Sequence, residues 1–399
     1  MAELLTMEEA QRLVLERVRP LAPERVELDR AAGRVLVEPA NAVVDLPPFP
    51  SSAMDGYAVR SADLPARLPV VARIAAGLPA SRALESGEAM GIATGGVVPE
   101  GADAVVPIEY VVERDNEVEI AGSVDLGANV RPRGGDLRAG AEVVPAGTRL
   151  GPAQLGALAA AGVQGVVCGA LPRAAVLATG TELRRPGEPL APGEVYEANG
   201  LLLETQLRSA GAFVERLAAV ADDEEAHREA LARGLEHDVF VTSGGVSVGP
   251  HDLVRRIESE LGVDEVFWRV AVKPGKPVSF GVRGRTLVFG LPGNPVSSLV
   301  AFELFVRPAI LALQGESDPL PRFEPGRLAV AAKRNPARDE LVRARMRVSE
   351  DGTSPELEPL VGQESHMIAR SAAADALVLL PRGEGVLEAG SPVRYLRLA

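Results

Sequence analysis

Two lysines stand three positions apart in the stretch VAVKPGKPVSFG, which covers residues 270–281. The chain has 42 lysine and arginine residues, but its only lysines are Lys273, Lys276 and Lys333. An ammonium group is a compact point charge with rotatable donors, whereas a guanidinium is planar and larger. The intervening proline and glycine restrict the relative direction of the pair. The pair predicts a site for a small oxyanion or a phosphate, although two solvated lysines would give the same pattern.

Four glycine-containing loops follow predicted strands or form part of them: LATGTEL (177–183), VTSGGVSVGPHD (241–252), VKPGKP (272–277) and GLPGNP (290–295). Glycine allows backbone N–H groups to point at an anion without obstruction by a side chain. Ordinary turn chemistry explains any single loop of this kind equally well. Four of them in one unit favour a phosphate-bearing ligand. The candidate binding residues in the second and fourth loops are Ser243, Gly244, Gly245, Ser247, Gly293 and Asn294.

Acidic residues occur at the same predicted edge, namely Glu182, Asp222, Asp223 and Asp252. Magnesium binds one or two carboxylates together with substrate oxygens and waters, so these residues predict a Mg²⁺ site. Asp222 and Asp223 also stand at the start of a helix predicted over 222–235, where its dipole favours a carboxylate without any metal. That alternative explains Asp223 well. It explains Glu182 and Asp252 less well, because both flank glycine turns.

Alternating strand and helix patterns from 172 to 315 position these loops. Such alternation predicts a doubly wound, mostly parallel α/β domain whose ligands lie beyond the carboxyl ends of its strands. Asn199 and Asn294 are candidate helix caps in this unit, and Pro295 suits the first helical position.

Three further parts surround this unit. Short β-like runs between glycine and proline turns predict an inserted β-rich domain at 46–141. Helical patterns on either side of it, starting with a capping box at Thr6 and Glu9, predict a discontinuous helix-containing domain at 1–45 and 142–171. Residues 316–399 predict a small C-terminal β domain. The fold class is therefore α/β plus β in a multidomain chain, with the α/β domain at 172–315.

Composition excludes several classes of function. A net charge of −13 leaves no basic excess for a phosphate backbone or a membrane surface, so we expect neither a nucleic-acid nor a membrane partner. The most apolar window, 156–171, is short and rich in alanine and glycine, unlike a membrane span. The single cysteine, Cys168, has apolar neighbours and fits a buried thiol in a reducing cytoplasm. The four histidines lack metal-ligand spacing.

Seven motifs, in this order along the chain, resemble one protein family: SSAMDGYAVR (51–60), ATGGVVPEGADAVVPIE (93–109), VRPRGGDLRAG (130–140), LATGTEL, VTSGGVSVG, KPGKP and GLPGNPVSS. They are similar to those of the molybdopterin molybdenumtransferases, the MoeA-type proteins, which are related to the C-terminal domain of gephyrin. The resemblance implies a transferase that inserts molybdate into adenylylated molybdopterin with Mg²⁺, giving AMP and molybdenum cofactor. It also implies an elongated homodimer with shared active sites, in which the α/β domain of one subunit faces the SAMDGYAV-containing domain of the other.

The resemblance implies roles for individual residues of the α/β domain. Glu182, Asp222 and Asp252 are the acids expected at the metal and substrate site. Lys273 and Arg269 stand where the family has basic residues that meet molybdate or phosphate. Further residues lining the same pocket are Lys276, Pro292 and Pro295.

Other parts of the chain supply the remaining candidates that the resemblance implies. Asp55, Thr94 and Asp136 belong to the inserted domain and would complete the active site of the partner subunit. Ser371 is a candidate in the final domain.

The sequence departs from the family pattern at three positions. Arg269 replaces the more usual lysine, which changes the geometry available to an oxyanion. Thr181 stands where aspartate is frequent, so one acid beside Glu182 is missing. Gly135 stands where glutamate is common, so the acidic role there falls to Asp136 alone.

Two other functions are compatible with the same residues. A molybdopterin adenylyltransferase shares the TSGG-bearing α/β fold, but the additional domains count against it. A non-enzymatic pterin-binding scaffold is permitted by the likeness to gephyrin, but the acids and lysines at one edge favour catalysis. Tungstate and molybdate have nearly the same size and charge, so both oxyanions fit the pattern.

Overall fold

The computed structural model describes residues 4–218, 224–245, 253–348 and 354–398. Its central sheet has six strands in the spatial order Phe213–Arg216, Arg173–Ala178, Val239–Ser243, Thr286–Leu291, Ser279–Arg283 and Asp264–Trp268. The first three pairings are parallel and the last two are antiparallel. Val239–Ser243 and Thr286–Leu291 are buried along their whole length, as expected for parallel strands that are covered on both faces.

Helices cover both faces of this sheet. Asn199–Ser209, Pro295–Ala301 and Arg307–Leu313 pack on one face, together with the π-helical segment Phe302–Val306. Glu224–Gly234 and Leu253–Glu260 pack on the other face. The predicted doubly wound, mostly parallel α/β domain is therefore confirmed.

One helical stretch in the described part of the chain, Pro295–Leu313, is long and apolar enough to cross a membrane. Its mean hydropathy is 1.8, and 83% of the window is buried inside the protein. Length and composition of this kind are also found in the core helix of a folded domain, and here the stretch lies in the α/β core.

The first helix, Met7–Arg17, begins at the predicted capping box. Its apolar stripe lies in the core of the α/β unit, and Gln11 Nε2 donates to the carbonyl oxygen of Leu304 at 3.0 Å. The helix therefore contacts the α/β unit, and the domain boundary at 1–45 stays a prediction. The helix joins the α/β unit because that unit, and not the segment following it in sequence, buries its apolar side.

The rest of the discontinuous domain is closed by strands from both sides of the insertion. Its elements are the antiparallel pair Pro23–Glu27 with Gly165–Gly169, the short pair Ala40–Asn41 with Glu142–Val144, and helix Pro152–Ala160. Cys168 is buried in its core, and burial raises the pKa of the thiol. The cysteine is therefore a packing residue.

The inserted domain contains a second six-stranded sheet. Its spatial order is Ala104–Pro107, Gly56–Val59, Ala89–Ile92, Ala66–Ile74, Glu117–Ile120 and Val112–Arg114. A short pair, Ser51–Ser52 with Val130–Arg131, lies at its base. Gly56 is required in this sheet because a Cβ atom there would lie 2.0 Å from the carbonyl oxygen of Val106.

The C-terminal domain is a closed five-stranded barrel. Its strands, each paired with the next and the last with the first, are Asp339–Val348, Pro355–Pro359, Glu324–Leu328, Pro392–Arg397 and Ala376–Leu380. Closure leaves few free strand edges. The α/β unit uses one that remains, because Val272–Lys273 pairs with Asp339–Val348. The predicted combination of α/β, inserted β-rich, discontinuous and C-terminal β parts is confirmed.

Candidate functional site

Two cavities lie side by side where the loops of the α/β unit meet the C-terminal barrel. The lysine cavity, of about 570 Å³, is lined by residues 273–277 and 363–366 with Pro292, Asn294, Ser297, Arg338 and Glu340. The glycine-loop cavity, of about 660 Å³, is lined by residues 178–179, 182–183, 195–199, 243–245 and 292–295 with Pro277, His366 and Ile368. All four predicted strand-end loops contribute to this pair of cavities.

Lys273 reaches the lysine cavity through the strand pairing between the two units. In that pairing Lys273 stands opposite Glu340, and its Nζ atom lies 2.9 Å from Glu340 Oε1. The ion pair holds the ammonium group at the cavity wall and neutralises much of its charge.

Lys276 carries uncompensated charge in the same cavity. Among the described residues, neither Lys276 nor Arg338 has an ion-pair partner. The turn that presents Lys276 needs Gly275, whose φ of +112° is rarely adopted by other residues. Lys273 and Lys276 therefore differ in role, one being held by a carboxylate and the other being available to an incoming anion.

Ser243 ties together the loops of the glycine-loop cavity. Its hydroxyl accepts a hydrogen bond from Asn199 Nδ2 at 2.8 Å and donates to the carbonyl oxygen of Pro292 at 3.2 Å. Asn199 Nδ2 also donates to the carbonyl oxygen of Gly293 at 2.6 Å. The prediction of Asn199 as a helix cap is wrong, because Ala198 occupies that position and the asparagine amide connects the loops instead.

The glycine turn after Ser243 has a left-handed backbone. Gly244 and Gly245 have φ values of +95° and +66°. A Cβ atom at Gly244 would lie 2.7 Å from the carbonyl oxygen of Thr179. The Gly244 N–H donates to the carbonyl oxygen of Leu291 at 3.1 Å, so this amide closes the turn and does not face an anion.

Glu182 supplies an exposed carboxylate to the glycine-loop cavity. Glu197 also lines this cavity, but its Oε1 accepts the Gly200 N–H at 2.6 Å at the start of a helix. Of the described carboxylates that line this cavity, Glu182 is therefore the one left to meet a cation. Within the described ranges, no group of three histidine, cysteine, aspartate or glutamate side chains is arranged around a common metal position.

Three predicted site residues, Asp222, Asp252 and Ser247, lie outside the described residues. Magnesium needs only one or two protein carboxylates when substrate oxygens and waters complete its octahedron. The donor set around Glu182 therefore fits Mg²⁺ better than it fits zinc, which requires three or four protein ligands.

Arg343 supports the barrel wall of both cavities from inside. Its side chain is fully buried, and it donates to the carbonyl oxygens of Gly362 at 2.7 Å and Met367 at 2.5 Å. Burial lowers its pKa. The guanidinium also donates to Ser371 Oγ at 3.0 Å, and Ser371 lines neither cavity.

Ser365 stands where the sequence analysis expected Ser371 to act. Its hydroxyl accepts a hydrogen bond from Asn294 Nδ2 at 2.9 Å, and its carbonyl oxygen accepts the Val296 N–H at 3.1 Å. Asn294 occupies the predicted cap position, but its side chain makes no capping bond and reaches the barrel instead. Pro295 opens the helix as predicted.

Arg269 lies outside both linings. Its guanidinium carbon is 3.6 Å from the centre of the Trp268 ring, a cation–π contact, and its backbone has a φ of +82°. The structure thus directs this side chain onto an aromatic face, whereas the sequence predicted a contact with molybdate or phosphate.

Two of the inserted-domain candidates, Asp55 and Thr94, form a small exposed pair. The Asp55 carboxylate accepts hydrogen bonds from the Thr94 N–H at 2.6 Å and the Thr94 hydroxyl at 3.0 Å. The N–H first and the hydroxyl second lower the pKa of Asp55. Asp136 is exposed too, and none of the three lines either cavity of its own chain.

Comparison with known proteins covers almost the whole chain. Residues 5–162 match the MoeA N-terminal region (domain I and II), residues 175–312 match a probable molybdopterin binding domain, and residues 325–398 match the MoeA C-terminal region (domain IV). The chain is 34% identical over 400 residues to the molybdopterin molybdenumtransferase of Haemophilus influenzae, covering 98% of each. It is 38% identical over 340 residues to molybdopterin molybdenumtransferase 2 of Mycobacterium tuberculosis, covering 82% of this chain and 83% of that one.

This chain belongs to the MoeA family of molybdopterin molybdenumtransferases. A crystal structure of the MoeA protein from Pyrococcus horikoshii OT3 agrees with its fold, with a TM-score of 0.84, 26% identity and coverage of 99% of this chain and all of that one. A second structure from the same organism gives a TM-score of 0.79 at 30% identity, covering 99% of each chain. The predicted family and the predicted transferase class are confirmed.

Several residues that line the cavities of this MoeA-family site were not predicted from the sequence. Glu340 belongs to a barrel strand and meets Lys273 only through the pairing between units. Ser365 and His366 stand in an irregular segment without periodicity or a recognisable motif. The proline and glycine turn at 273–277 indicated that a binding cavity lies there. It did not indicate which barrel residues line the opposite side of that cavity.

Replacing Thr94 with valine should raise the pKa of Asp55 part of the way toward that of a free carboxyl group. Valine removes the hydroxyl donor but keeps the backbone N–H, which is the larger cause of the lowered pKa. Carbon-13 NMR titration of the Asp55 carboxyl group measures the shift. Thr94→Ser, which retains the hydroxyl, is the control, and identical titration curves in all three proteins would contradict the hydrogen-bond arrangement.

Proposed function

We propose that this chain inserts molybdate into adenylylated molybdopterin and releases AMP and molybdenum cofactor. The observation that carries the proposal is the common wall of the two cavities, whose linings share four residues. The lysine cavity suits a small oxyanion, and the glycine-loop cavity has loops of the kind that bind phosphate groups. Two anionic substrates would therefore lie next to each other, as the transfer of an oxyanion to a nucleotide-linked pterin requires.

Electrostatics explains why the lysine cavity needs concentrated positive charge. Molybdate is a dianion, and even two single charges about 4 Å apart repel each other by about 4 kcal/mol at an effective dielectric constant of about 20. The protein as a whole, with a net charge of −13, adds to this repulsion. Lys276 and Arg338 oppose it locally, and Lys273 does so to the extent that the anion competes with Glu340.

We place Mg²⁺ beside Glu182 in the glycine-loop cavity, with Asp222 and Asp252 as the further acids that the sequence indicates. When bound, the ion would neutralise and orient the phosphate oxygens of the adenylyl group. The chain itself would position the nucleotide through the loops that Ser243 and Asn199 join.

We further propose a cytoplasmic homodimer in which the inserted domain of one subunit completes the active site of the other. Asp55, Thr94 and Asp136 are exposed and line neither cavity of their own chain. A two-fold axis would bring this group to the partner's cavities twice in each dimer. The buried single cysteine and the acidic charge support the cytoplasmic location.

The lysines provide the direct test of the oxyanion site. Lys276→Ala should fold normally and lower kcat/KM for molybdate by about 100-fold, as removal of one preorganised oxyanion donor does. Lys273→Ala should also impair the reaction, because it leaves the Glu340 charge unpaired at the cavity wall. The assay combines adenylylated molybdopterin, Mg²⁺ and molybdate and measures both AMP and active cofactor.

Lys333 is the matched control for these variants, because it is exposed on the short strand Ala332–Lys333 and lines neither cavity. Full activity of both cavity variants would contradict the proposal. Consumption of ATP with an adenylylated product would indicate an adenylyltransferase instead. Pterin binding without turnover would indicate a scaffold.

Glu182→Gln should raise the Mg²⁺ concentration needed for half-maximal AMP release by at least about 10-fold, because the amide lacks the negative charge that Mg²⁺ prefers. Glu236→Gln is the control, since Glu236 is exposed and lines neither cavity. Magnesium titration of both variants provides the measurement. An unchanged Mg²⁺ requirement in Glu182→Gln would remove this residue from the metal site.

Mixed dimers test the shared active site. Asp55→Asn and Lys276→Ala subunits should each be nearly inactive alone, because each damages every site of its own dimer. When they are co-expressed in equal amounts, about a quarter of the sites should be intact, since half of the dimers are mixed and one of their two sites combines unaltered domains. Absence of recovered activity in purified mixed dimers would show that the sites are not shared in this way.

A further inference from the structure

Among the residues that the structure describes, the wall between the two cavities contains one titratable side chain. Four residues line both cavities, namely Pro277, Pro292, Asn294 and His366. The prolines have no polar side-chain atoms, and the Asn294 amide is engaged with Ser365. His366 is therefore the one shared residue that can gain or lose a proton.

The surroundings of His366 leave its ring available. The ring is exposed and has no hydrogen-bond or ion-pair partner within the described ranges. The other described histidines, His227 and His237, are 1% and 6% exposed and lie away from both cavities. Imidazole both donates and accepts protons near neutral pH, which suits a transfer role.

The backbone next to His366 is fixed on both sides of the ring. Ser365 is bound to Asn294 and to the Val296 N–H, and the Met367 carbonyl oxygen accepts a hydrogen bond from buried Arg343. The ring thus projects from an anchored segment at the boundary between the oxyanion and the nucleotide cavities. Such fixed placement is what proton transfer between two bound reactants requires.

The proposed reaction requires protons to move between its two substrates. A pterin with two thiol groups, R(SH)₂, reacts with molybdate to give R(S)₂MoO₃²⁻ and one water molecule. Two Mo–S bonds form, two S–H bonds and one Mo–O bond break, and the departing oxide takes both protons. Molybdenum remains hexavalent and the total charge stays at −2, so no oxidant or reductant is needed.

We propose that His366 carries these protons, accepting them from the pterin thiols and delivering them to the departing oxide. This role rests on the proposed function, because it requires molybdate in the lysine cavity and the pterin in the glycine-loop cavity. It makes His366 a catalytic residue that contacts both reactants. The histidine speeds the exchange of ligands on molybdenum and is not needed for cleavage of the adenylyl bond.

Other ionisable groups face the same space. In the lysine cavity they are Lys273, Lys276, Arg338, Glu340 and Glu364. In the glycine-loop cavity they are Glu182, Glu197 and Tyr196. Of all these side chains the imidazole of His366 is the one that borders both cavities, so a change in the pH profile of kcat that appears in His366 variants is assigned to it.

The test compares His366→Gln and His366→Ala with the unaltered dimer, using purified adenylylated molybdopterin, molybdate and Mg²⁺. Molybdenum insertion should fall by about 100-fold in kcat with little change in KM for molybdate, because general acid–base catalysis contributes that much or more. The pH profile of kcat should lose its ionisation near neutrality. Added imidazole should restore part of the activity of His366→Ala, an effect that a purely structural role would not produce.

Val361→Ala is the matched control, because Val361 is 80% exposed on the same segment and lines neither cavity. Unchanged kcat and pH profile in both histidine variants would overturn the role of His366 while leaving the proposed function intact. Failure of the unaltered protein to insert molybdenum would overturn the proposed function and this role together. Loss of activity without imidazole rescue and with an unchanged pH profile would show that the residue is structural.

Discussion

The site depends on the interface between the α/β unit and the C-terminal barrel. A parallel sheet with glycine loops supplies one wall of a pocket, but the loops alone leave it open on the opposite side. The pairing of Val272–Lys273 with Asp339–Val348 closes that side and sets Lys273 against Glu340. The hydrogen bonds from Asn294 and Val296 to Ser365 join the two units at a second point of this interface. Two cavities with a common wall result from these few contacts.

A buried charge fixes the shape of the barrel segment that faces the two cavities. An unpaired guanidinium in a protein interior is strongly unfavourable, so Arg343 must find acceptors for its protons. It finds them in the carbonyl oxygens of Gly362 and Met367, on either side of the residues that face the cavities. The segment between these two residues is held in place because both carbonyl oxygens accept hydrogen bonds from the Arg343 guanidinium. An irregular stretch of chain thereby acquires a defined shape.

Local patterns in the sequence predicted much of the architecture. The capping box at Thr6 and the alternating strands and helices of 172–315 depend on neighbouring residues, and both were found as predicted. The apolar stripe of the first helix does not reveal which surface will bury it, and in the structure it packs against the α/β unit. The glycine loops indicated the edge of the sheet at which both cavities lie, since parallel strands bring their carboxyl ends together.

Several tertiary contacts, within and between units, escaped prediction for a physical reason. Asn199 and Asn294 have the residue type of helix caps, and only the tertiary arrangement diverts their amides to Ser243 and Ser365. Arg269 satisfies its charge over Trp268, which the linear order of basic residues does not reveal. Nothing in the sequence distinguishes Ser371 from Ser365. In the structure Ser371 accepts a hydrogen bond from Arg343, whereas Ser365 lines the lysine cavity.

The placement of the lysine cavity between the α/β unit and the barrel has a thermodynamic consequence. The barrel has a hydrophobic cluster of its own, and its Leu341, Leu377 and Leu379 also pack in the cluster of the α/β unit, while the cavity is lined by residues of both units. An anion that touches both walls binds only when they are docked, so its binding free energy adds to the adhesion between the units. Binding of the anion and docking of the two units are therefore thermodynamically linked, so each favours the other. The oxyanion that we propose as substrate would therefore also hold the two units together reversibly.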